Sequence, residues 1–577
     1  MKRNKKIDIL LYLLVVFPLM VIFIPLSQNS YSLGFRDRVK KIIENRKVKG
    51  IKKNKYFAFQ YHQFSKHTYL NVITSWKPDW FNKPDTSKIY PDPKTIPLKK
   101  DIESWEGFNL DEAIRRANEK QNFSSSEPLT LNEVSRLLYF TYGVTGVIRT
   151  RGGILYLRTA PSAGALYPTE IYLIVNNVKD LESGVYNYLV KDHVLQQIKR
   201  GDFSKELINS CLNDSSIKNS NLIFVFTDIF YRSKWKYRER GYRYSLIDAG
   251  YVIKNLVLES ASVGLRTKTY FDFLDDKINR LLGVDGVKEA SVALVTVGKG
   301  MGDNFSPVGQ ASRLSERRFS VDRRGFLTPP ERFLDGRFKS HRVISQIKES
   351  MSISEKYHEN SKQIIYRPKI ERVSLKPYSI EKRIELPQEF PRSNIKIEEL
   401  LLKRRSAEDL GNLPISKTEL SEILYLSFRL ERESHYKISS PHQLDLFLVV
   451  NNVQGVDRGV YHYDRQSHSL EQIKKIDLQE LCWKYCLRQD IVKMAGVIFI
   501  KVGLIEEALK EYGDRGYRHI LLTSGMIGES IYLVATKSGL GVRAIGAFFD
   551  DELNRLVGID GEKEAVIHLT VVGKLEE

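Results

Sequence analysis

Only three cysteines, Cys211, Cys482 and Cys486, occur in 577 residues, too few for a disulfide framework, and no CxxC or Cys/His cluster at zinc spacing accompanies them. A structural metal is therefore not expected, and Cys482 and Cys486, four apart in a helical context, read as small buried hydrophobes. His62 and His67 lack carboxylates at metal spacing. No G-x-x-x-x-G-K-[ST] loop is present, and GLGVRAIG at 539–546 fails as a dinucleotide fingerprint because it follows a helix and leads toward a strand. Disorder is excluded by 42% hydrophobic residues with 30 Tyr and 27 Phe. Charge of one sign is scarce where the chain should fold. Of the net +20, 19 charges come from residues 1–60, with 14 Lys/Arg against 3 Asp/Glu, and from 304–392, with 19 against 11. The remaining regions are nearly neutral, so no nucleic-acid partner is expected.

One long hydrophobic run exists, Ile9 to Leu26, 18 residues behind Lys2, Arg3, Lys5 and Lys6. It is about the minimum that spans ~30 Å of hydrocarbon. No A-x-A-like site or lipidation cysteine follows, so an uncleaved single-pass anchor over 1–30 is expected rather than a cleaved signal peptide. The body is expected on the cytoplasmic side, because Arg36, Arg38, Lys40, Lys41 and Arg46 outnumber the cations before the run.

Self-comparison gives the main feature. Residues 161–299 recur at 436–574 with a constant offset of 275: IVNNVKDLESGVYNY pairs with VVNNVQGVDRGVYHY, ERGYRY with DRGYRH, and DDKINRLLGVDGVKEA with DDELNRLVGIDGEKEA. A single repeat of this length is a duplicated domain rather than a solenoid unit. Within a copy, β-branched runs (172–175, 222–227, 293–297) alternate with helices, one of them over 245–264 with a C-cap glycine at Gly264, matched by Gly539. The fold class is thus α+β. Residues 31–108 read as a basic juxtamembrane segment and leader, 109–303 and 395–577 as the two domains, and 304–394 as an extended linker. Two similar domains on one chain form an internal pseudo-dimer, in which a site can be built once and lost once.

The copies differ in complementary places. Copy one has RTAPSAGALYPTE at 158–170, where copy two has YKISSPHQLDL, without Pro-Ser or Gly. Copy two has GVRAIGAFF at 541–549, where copy one has RTKTYFDFL, so Phe271 stands at the position of Gly546. Copy two has KRRSAEDL at 403–410, with Ala117 taken as the counterpart of Ser406, and Glu511 replaces Lys236.

APSAGALYP, the GVY-Y hairpin, WKY-x-ERGYRY-x-x-x-DAG and the IGAF-x-DD-x-x-N-x-LG loop resemble the nitroreductase-like flavoproteins, specifically the SagB/ThcOx type of FMN-dependent dehydrogenase. The prefix YHQFSKHTY and the stretch to Leu98 resemble the leader of two-domain members. The resemblance implies two tandem domains with central, mostly antiparallel sheets flanked by helices. It also implies FMN between them, with the phosphate held by Arg404, Arg405 and Ser406 and the ring edge by Ala544, Ile545 and Gly546. The facing loop is Pro161, Ser162, Ala163 and Gly164. Glu408 and Leu410 depart from the family pattern at the phosphate helix. Guanidinium forks and a hydroxyl at a helix start suit a phosphate, and a glycine lets a backbone N–H approach a flavin.

The resemblance further implies oxidation of peptide azolines to azoles, with Lys236 and Tyr237 as the proton-handling pair and a cyclodehydratase-type complex as partner. A basic lysine must be partly neutral, and Arg232, Lys234, Arg238 and Arg240 around it in sequence are expected to lower its pKa. Two alternatives stay open, a generic NAD(P)H-dependent nitro or quinone reductase and a flavin-free scaffold.

Overall fold

The computed structural model describes residues 56–300 except 74–76, 101–106, 119–122, 125–126, 151–152, 212 and 215, and then 351–362, 380–429 and 443–576. The apolar run at 9–26, and with it the expected anchor and its orientation, lies outside the described residues. Among the described residues no helix is long and apolar enough to cross a membrane.

The β-branched runs become the middle strands of two sheets. Thr169–Val175 and Leu222–Ile229 are buried almost throughout, as are Leu444–Val450 and Val497–Leu504, because helices cover both faces and the strands need no polar side. The first sheet runs Lys94–Pro97, Val194–Arg200, Gly184–Leu189, Thr169–Val175, Leu222–Ile229, Glu289–Gly300, Phe123–Ser124, with Arg266–Tyr270 also pairing Glu289–Gly300. The second runs Lys382–Glu385, Ser469–Lys475, Gly459–Asp464, Leu444–Val450, Val497–Leu504, Glu564–Lys574, Leu540–Ile545. Every pairing in both is antiparallel. The duplication thus yields two α+β domains with the same strand order.

The domains meet through one long helix each. Gly241–Ser262 is buried along its whole length, and Gly516–Lys537 nearly so. They cross where Gly250 faces Gly525, and a Cβ on either would collide with the backbone carbonyl of Leu522 or Ile247. Two bare glycines let the backbones approach as closely as they do.

At each end of the crossing an aspartate of one domain lies between two arginines of the other. Arg240 and Arg243 reach Asp550 at 2.7 and 3.0 Å, and Arg515 and Arg518 reach Asp275 at 2.5 and 2.8 Å. All six groups are buried. Burial opposes ionisation of Asp550, but Arg240 and Arg243 outweigh it and hold the carboxyl far below the usual carboxylate range.

The stretch expected as a linker is more than that. Its described residues include the helix Ile353–Ser361 and the strand Lys382–Glu385, the latter part of the second sheet. Ile353–Ser361 is the counterpart of the leader helix Phe57–Ser65: YHQFSK at 61–66 recurs as YHENSK at 357–362, an offset of 296. The two helices make equivalent contacts across the axis. Tyr61 stacks on Tyr357 with ring centroids 4.9 Å apart. Tyr61 Oη donates to Glu239 O and Tyr357 Oη to Asp514 O. His62 Nδ1 meets Tyr517 Oη at 2.8 Å, and His358 Nδ1 meets Tyr242 Oη at 2.9 Å. Lys66 pairs with Asp551 and Lys362 with Asp276. The duplicated unit therefore includes the leader, and its second copy begins inside the expected linker.

Removing one partner of a buried ion pair leaves the other charge uncompensated. Asp275→Ala and Asp550→Ala should each lower stability by about 3–5 kcal/mol, read by chemical denaturation. An exposed control such as Glu389→Ala should stay within about 0.5 kcal/mol.

Candidate active site

The loop at 161–164 follows the strand Gly153–Arg158 and turns through Gly164 at φ +64°, a region that favours glycine. Asp248, on the long helix, holds this loop: Ser162 Oγ donates to Asp248 Oδ2 at 2.6 Å and Ala163 N to the same oxygen at 3.1 Å. Ser162 Oγ also accepts from Tyr167 N. Burial pushes the Asp248 carboxyl up to about 7, against the pull of these two donors. Pro161 is half-buried and Gly164 exposed.

Lys236 and Tyr237 end the helix Phe230–Tyr237 beside that glycine. A Cβ on Gly164 would lie 2.6 Å from Tyr237 Oη and 3.0 Å from Lys236 Nζ, so the bare turn is what lets both groups stand there. Tyr237 packs edge-on against Tyr244 at 4.9 Å, and burial raises its phenol well above the ordinary range, keeping it protonated. Lys236 Nζ makes no hydrogen bond or ion pair with a described residue. Its pKa is lowered, first by burial and then by the charge of Lys83.

The direction matches the sequence expectation and the cause does not. Arg232 pairs with Glu170 at 2.6 Å, Lys234 with Glu355 at 3.2 Å, and Arg240 with Asp550. Each cation is drawn to a carboxylate, and the charge that bears on Lys236 comes from a residue 153 positions earlier in the chain.

The second copy supplies the opposite wall. Gly546 O accepts from Tyr244 Oη at 2.7 Å and from Arg240 Nη2 at 2.9 Å, which ties this loop to the helix next to Tyr237. A Cβ on Gly546 would strike the Tyr244 ring at 2.6 Å. Glycine is thus required here first by Tyr244, and the Gly546 N–H has no hydrogen-bond partner among the described residues. Ala544 N donates to Tyr532 Oη, which also meets Ser406 Oγ at 3.0 Å. Ile545 is buried in the second domain's core.

Arg404 crosses between the copies. It donates from Nε to Thr159 O at 2.6 Å and from Nη2 to Arg158 O at 3.1 Å, immediately before the 161–164 loop. Its Nη1 is buried without a partner, as are Nε and Nη1 of Arg158. Arg405 is exposed and donates to Thr145 O. Leu410 is buried over Gly541 and Gly573, and Glu408 is exposed. The selected residues of both copies therefore converge through Arg404–Thr159, Ser406–Tyr532–Ala544 and Gly546–Tyr244–Tyr237. Unpaired buried guanidinium nitrogens on Arg158 and Arg404, an exposed serine two residues after Arg404 and an N–H at Gly546 without a partner among the described residues fit a phosphate-bearing planar cofactor.

Several participants were not singled out in sequence. Asp248 and Tyr244 lie inside a motif quoted for the resemblance, and Arg158 opens the 158–170 segment compared between the copies, but a motif does not tell which member faces the site. Tyr532 lies within the buried second helix and carries no local signal. The pairing of Ser406 with Ala117 is also corrected. The helices start at Leu110 and Ile397, and their preceding residues Asn109 and Lys396 pair with each other, so Ala117 is the counterpart of Arg404. Copy one has no arginine there, while Arg115 and Arg116 both bind Glu112.

The mirror-related position is filled differently. Phe271 O accepts from Arg515 Nε at 2.7 Å, as Gly546 O does from Arg240, but a phenyl ring occupies the place of the glycine. Glu511 accepts from Gln443, and His519 replaces Tyr244, packing on Tyr512 at 4.4 Å. The three cysteines are buried and the described residues contain no metal-binding cluster.

The nitroreductase family matches residues 115–299 and 401–574, and the chain belongs to that family, with two tandem domains. It is 32% identical over 184 residues to the nitroreductase homologue MJ1384 of Methanocaldococcus jannaschii, covering 31% of this chain and 91% of that protein. It is 29% identical over 242 residues to the trifolitoxin-processing protein TfxB of Rhizobium leguminosarum, and 27% identical over 172 residues to the microcin B17-processing protein McbC of Escherichia coli. These matches cover 41% and 28% of this chain, and the chain spans 62% and 60% of those two proteins. A solved nitroreductase-type structure from Anabaena variabilis superposes with a TM-score of 0.69 over 91% of this chain and all of that one, at 24% identity, and shares the fold.

Because Asp248 titrates higher in the folded state than the ordinary aspartate value of about 3.9, its contribution to stability is full below about pH 4. That contribution is lost as pH rises through about 7. Asp248→Asn should remove this slope, so the stability difference between wild type and variant should change between pH 5 and pH 8 in urea titrations. Equal differences at both pH values would refute the assignment.

Proposed function

We propose that this protein is an FMN-dependent oxidoreductase that dehydrogenates azoline rings of a ribosomally made peptide to azoles. The observation that carries the proposal is the pair Lys236–Tyr237 beside Gly164, facing a wall contributed by the other copy. The peptide-processing names of TfxB and McbC support the substrate class, and through them a modifying complex is the partner proposed. Family membership supports the flavin.

The residues that would hold FMN are Arg404, Arg405 and Ser406 for the phosphate, with Arg158 as a further cation. Ala544, Ile545 and Gly546 would line one edge of its ring, and Pro161, Ser162, Ala163 and Gly164 the facing side. When bound, FMN supplies the hydride acceptor for the ring carbon that is oxidised. Lys236 takes the proton from the neighbouring ring carbon, so one hydride and one proton leave and the C=C bond of the azole forms between those two carbons. Burial and Lys83 favour the neutral amine this step needs. Tyr237, held protonated, donates a hydrogen bond that orients the ring heteroatom or relays the proton. Asp248 fixes Ser162 and Ala163, and Tyr244 holds Gly546, so both walls keep their spacing without the substrate.

A second reading, an NAD(P)H-dependent nitro or quinone reductase, is favoured by the similarity to MJ1384. It uses the same cofactor site without a substrate base.

Two measurements follow. Titration should give about one FMN per chain, lost in Arg404→Ala combined with Ser162→Asp, since the second position carries Phe271. Lys236→Ala should keep FMN and its reduction by an artificial reductant, yet oxidise a thiazoline peptide about 10²- to 10⁴-fold more slowly. Unchanged thiazoline turnover in that variant would sink the proposed role, and retained NAD(P)H-dependent nitroreduction without any azoline activity in the wild type would select the second reading.

A further inference from the structure

A cation lies buried in the core of the second domain without a carboxylate. Lys501, in the strand Val497–Leu504, is fully buried and donates from Nζ to Thr570 Oγ1 at 2.7 Å. It pairs with no carboxylate among the described residues. Taking an ammonium out of water without a counter-charge is costly, and an apolar side chain of similar size would fill the place without that penalty.

Its surroundings are polar as well. Lys501 lies on the same strand face as Val497 and Phe499, which pack into the core around the long helices. His568 stands opposite Lys501 on the next strand, and Thr570 opposite Phe499. His568 Nε2 meets Tyr251 Oη, from the long helix of the first domain, at 3.5 Å. Ser524, on the second long helix, lies beside His568, and its Oγ is buried without a partner. The Tyr251 ring packs edge-on against Tyr532 at 5.9 Å.

The fold does not require this cluster, because the other copy does without it. At the constant offset of 275, Lys501, His568 and Thr570 correspond to Phe226, Ala293 and Val295, Ser524 and Tyr532 to Ala249 and Val257, and Tyr251 to Met526. All six counterparts are apolar and buried. Polar groups placed in a core that packs equally well without them point to a use.

The cluster adjoins the candidate site. Thr570 is the cross-strand partner of Ala544, and Tyr532 Oη accepts from Ala544 N and meets Ser406 Oγ. Val497–Leu504 lies two strands from Leu540–Ile545, roughly 10 Å at ordinary strand spacing. The titratable groups that face the amine are His568 from the neighbouring strand and Tyr251 from the other domain. Arg243 acts on His568, and Glu529, Asp248 and Arg404 act on Tyr251, whereas burial alone acts on Lys501 and lowers its amine to about 7. Burial keeps His568 neutral and Tyr251 protonated, so of the three only Lys501 changes charge near neutral pH.

We infer that Lys501 is a positioning residue for the redox step, its ammonium favouring the reduced cofactor across the strand Leu540–Ile545, a role that rests on the proposed flavin site. The hydride taken from the substrate carries two electrons and one proton and leaves one extra negative charge on the ring. Lys501 balances that charge by taking up one proton from solvent. Charge near a flavin sets its electronics, and a buried charge is little screened over such a distance.

The test compares FMN-loaded wild type with Lys501→Met and with the triple variant Lys501→Met, His568→Ala, Thr570→Val, which gives this core the apolar character of the other. Both variants should fold, since the first domain packs apolar side chains at these positions. Each protein is equilibrated with a redox dye, and the ratio of reduced to oxidised flavin is read from its visible spectrum. At pH 6, where the amine is charged in both redox states, that ratio should be about tenfold higher in wild type than in either variant, as expected for one charge at about 10 Å and an effective dielectric constant near 20. At pH 9, where the amine is neutral, the three ratios should coincide. Lys236 is present in all three proteins, so its own titration cancels. A difference of the same size at both pH values, as altered packing alone would give, overturns the role of Lys501, and so does no difference at either. If wild type binds no FMN, the proposed function falls and this role with it. If FMN binds and all three proteins share one potential at every pH, only the role of Lys501 falls.

Discussion

Two buried aspartates, each clasped by two arginines of the opposite domain, set the geometry on which everything else in this protein depends. A buried carboxylate is tolerable only if paired, and the arginines that pair Asp275 and Asp550 lie across the interface. The arginines start the two long helices, and the aspartates start the helices that follow the 271–274 and 546–549 loops. The ion pairs therefore fix the angle at which Gly250 and Gly525 meet and the position of each loop relative to the other domain. Gly546 O reaches Tyr244 and Arg240 because Asp550, four residues on, is already held by that same Arg240.

The symmetric frame carries an asymmetric site. At one end the loop is small and open, with Gly546 and Gly164 leaving room beside Lys236 and Tyr237. At the other, Phe271 fills the same position and Glu511 and His519 replace the lysine and the second tyrosine. The pairing of one aspartate with two arginines recurs at both ends, while the side chains around the candidate site differ between them. That pattern follows when the interface must stay intact for either end to exist, and only one end has to do chemistry. The leader helices belong to the frame too, since Tyr61 and Tyr357 stack on the axis and their lysines bind the residues next to the paired aspartates.

Much of this was legible in sequence where a signal is local or repeated without gaps. The constant offset of 275 defined both domains, and the complementary loss at 161–164 and 541–549 pointed to a site shared by the copies. The leader repeat was missed because its offset is 296, so the four residues it keeps of six fall out of register with the rest. Lys236 shows the limit of reading charge along a chain. Arg232, Lys234 and Arg240 turn toward Glu170, Glu355 and Asp550, while Lys83, distant in sequence, is the cation that counts. The two-residue error at Ser406 and Ala117 arose because helix starts, not arginine pairs, set the register. Asp248 and Tyr244 were visible as letters of a motif, and only the fold tells which of those letters face the loop they hold.

The tandem arrangement has a consequence for how the site behaves on dilution. In a dimer of separate chains a composite site exists only while the chains are associated, and its population falls with concentration. Here residues such as Arg404 and Thr159 are joined through one backbone, so the two walls meet at an effective concentration set by the intervening chain rather than by the amount of protein present. Assembly of the site is first order. It also cannot be scrambled: no exchange of subunits mixes an altered wall with an intact one, and every molecule carries the same single pairing of the two. A substitution in either half then acts on all sites in the population at once, with none of the averaging that a mixed dimer would show.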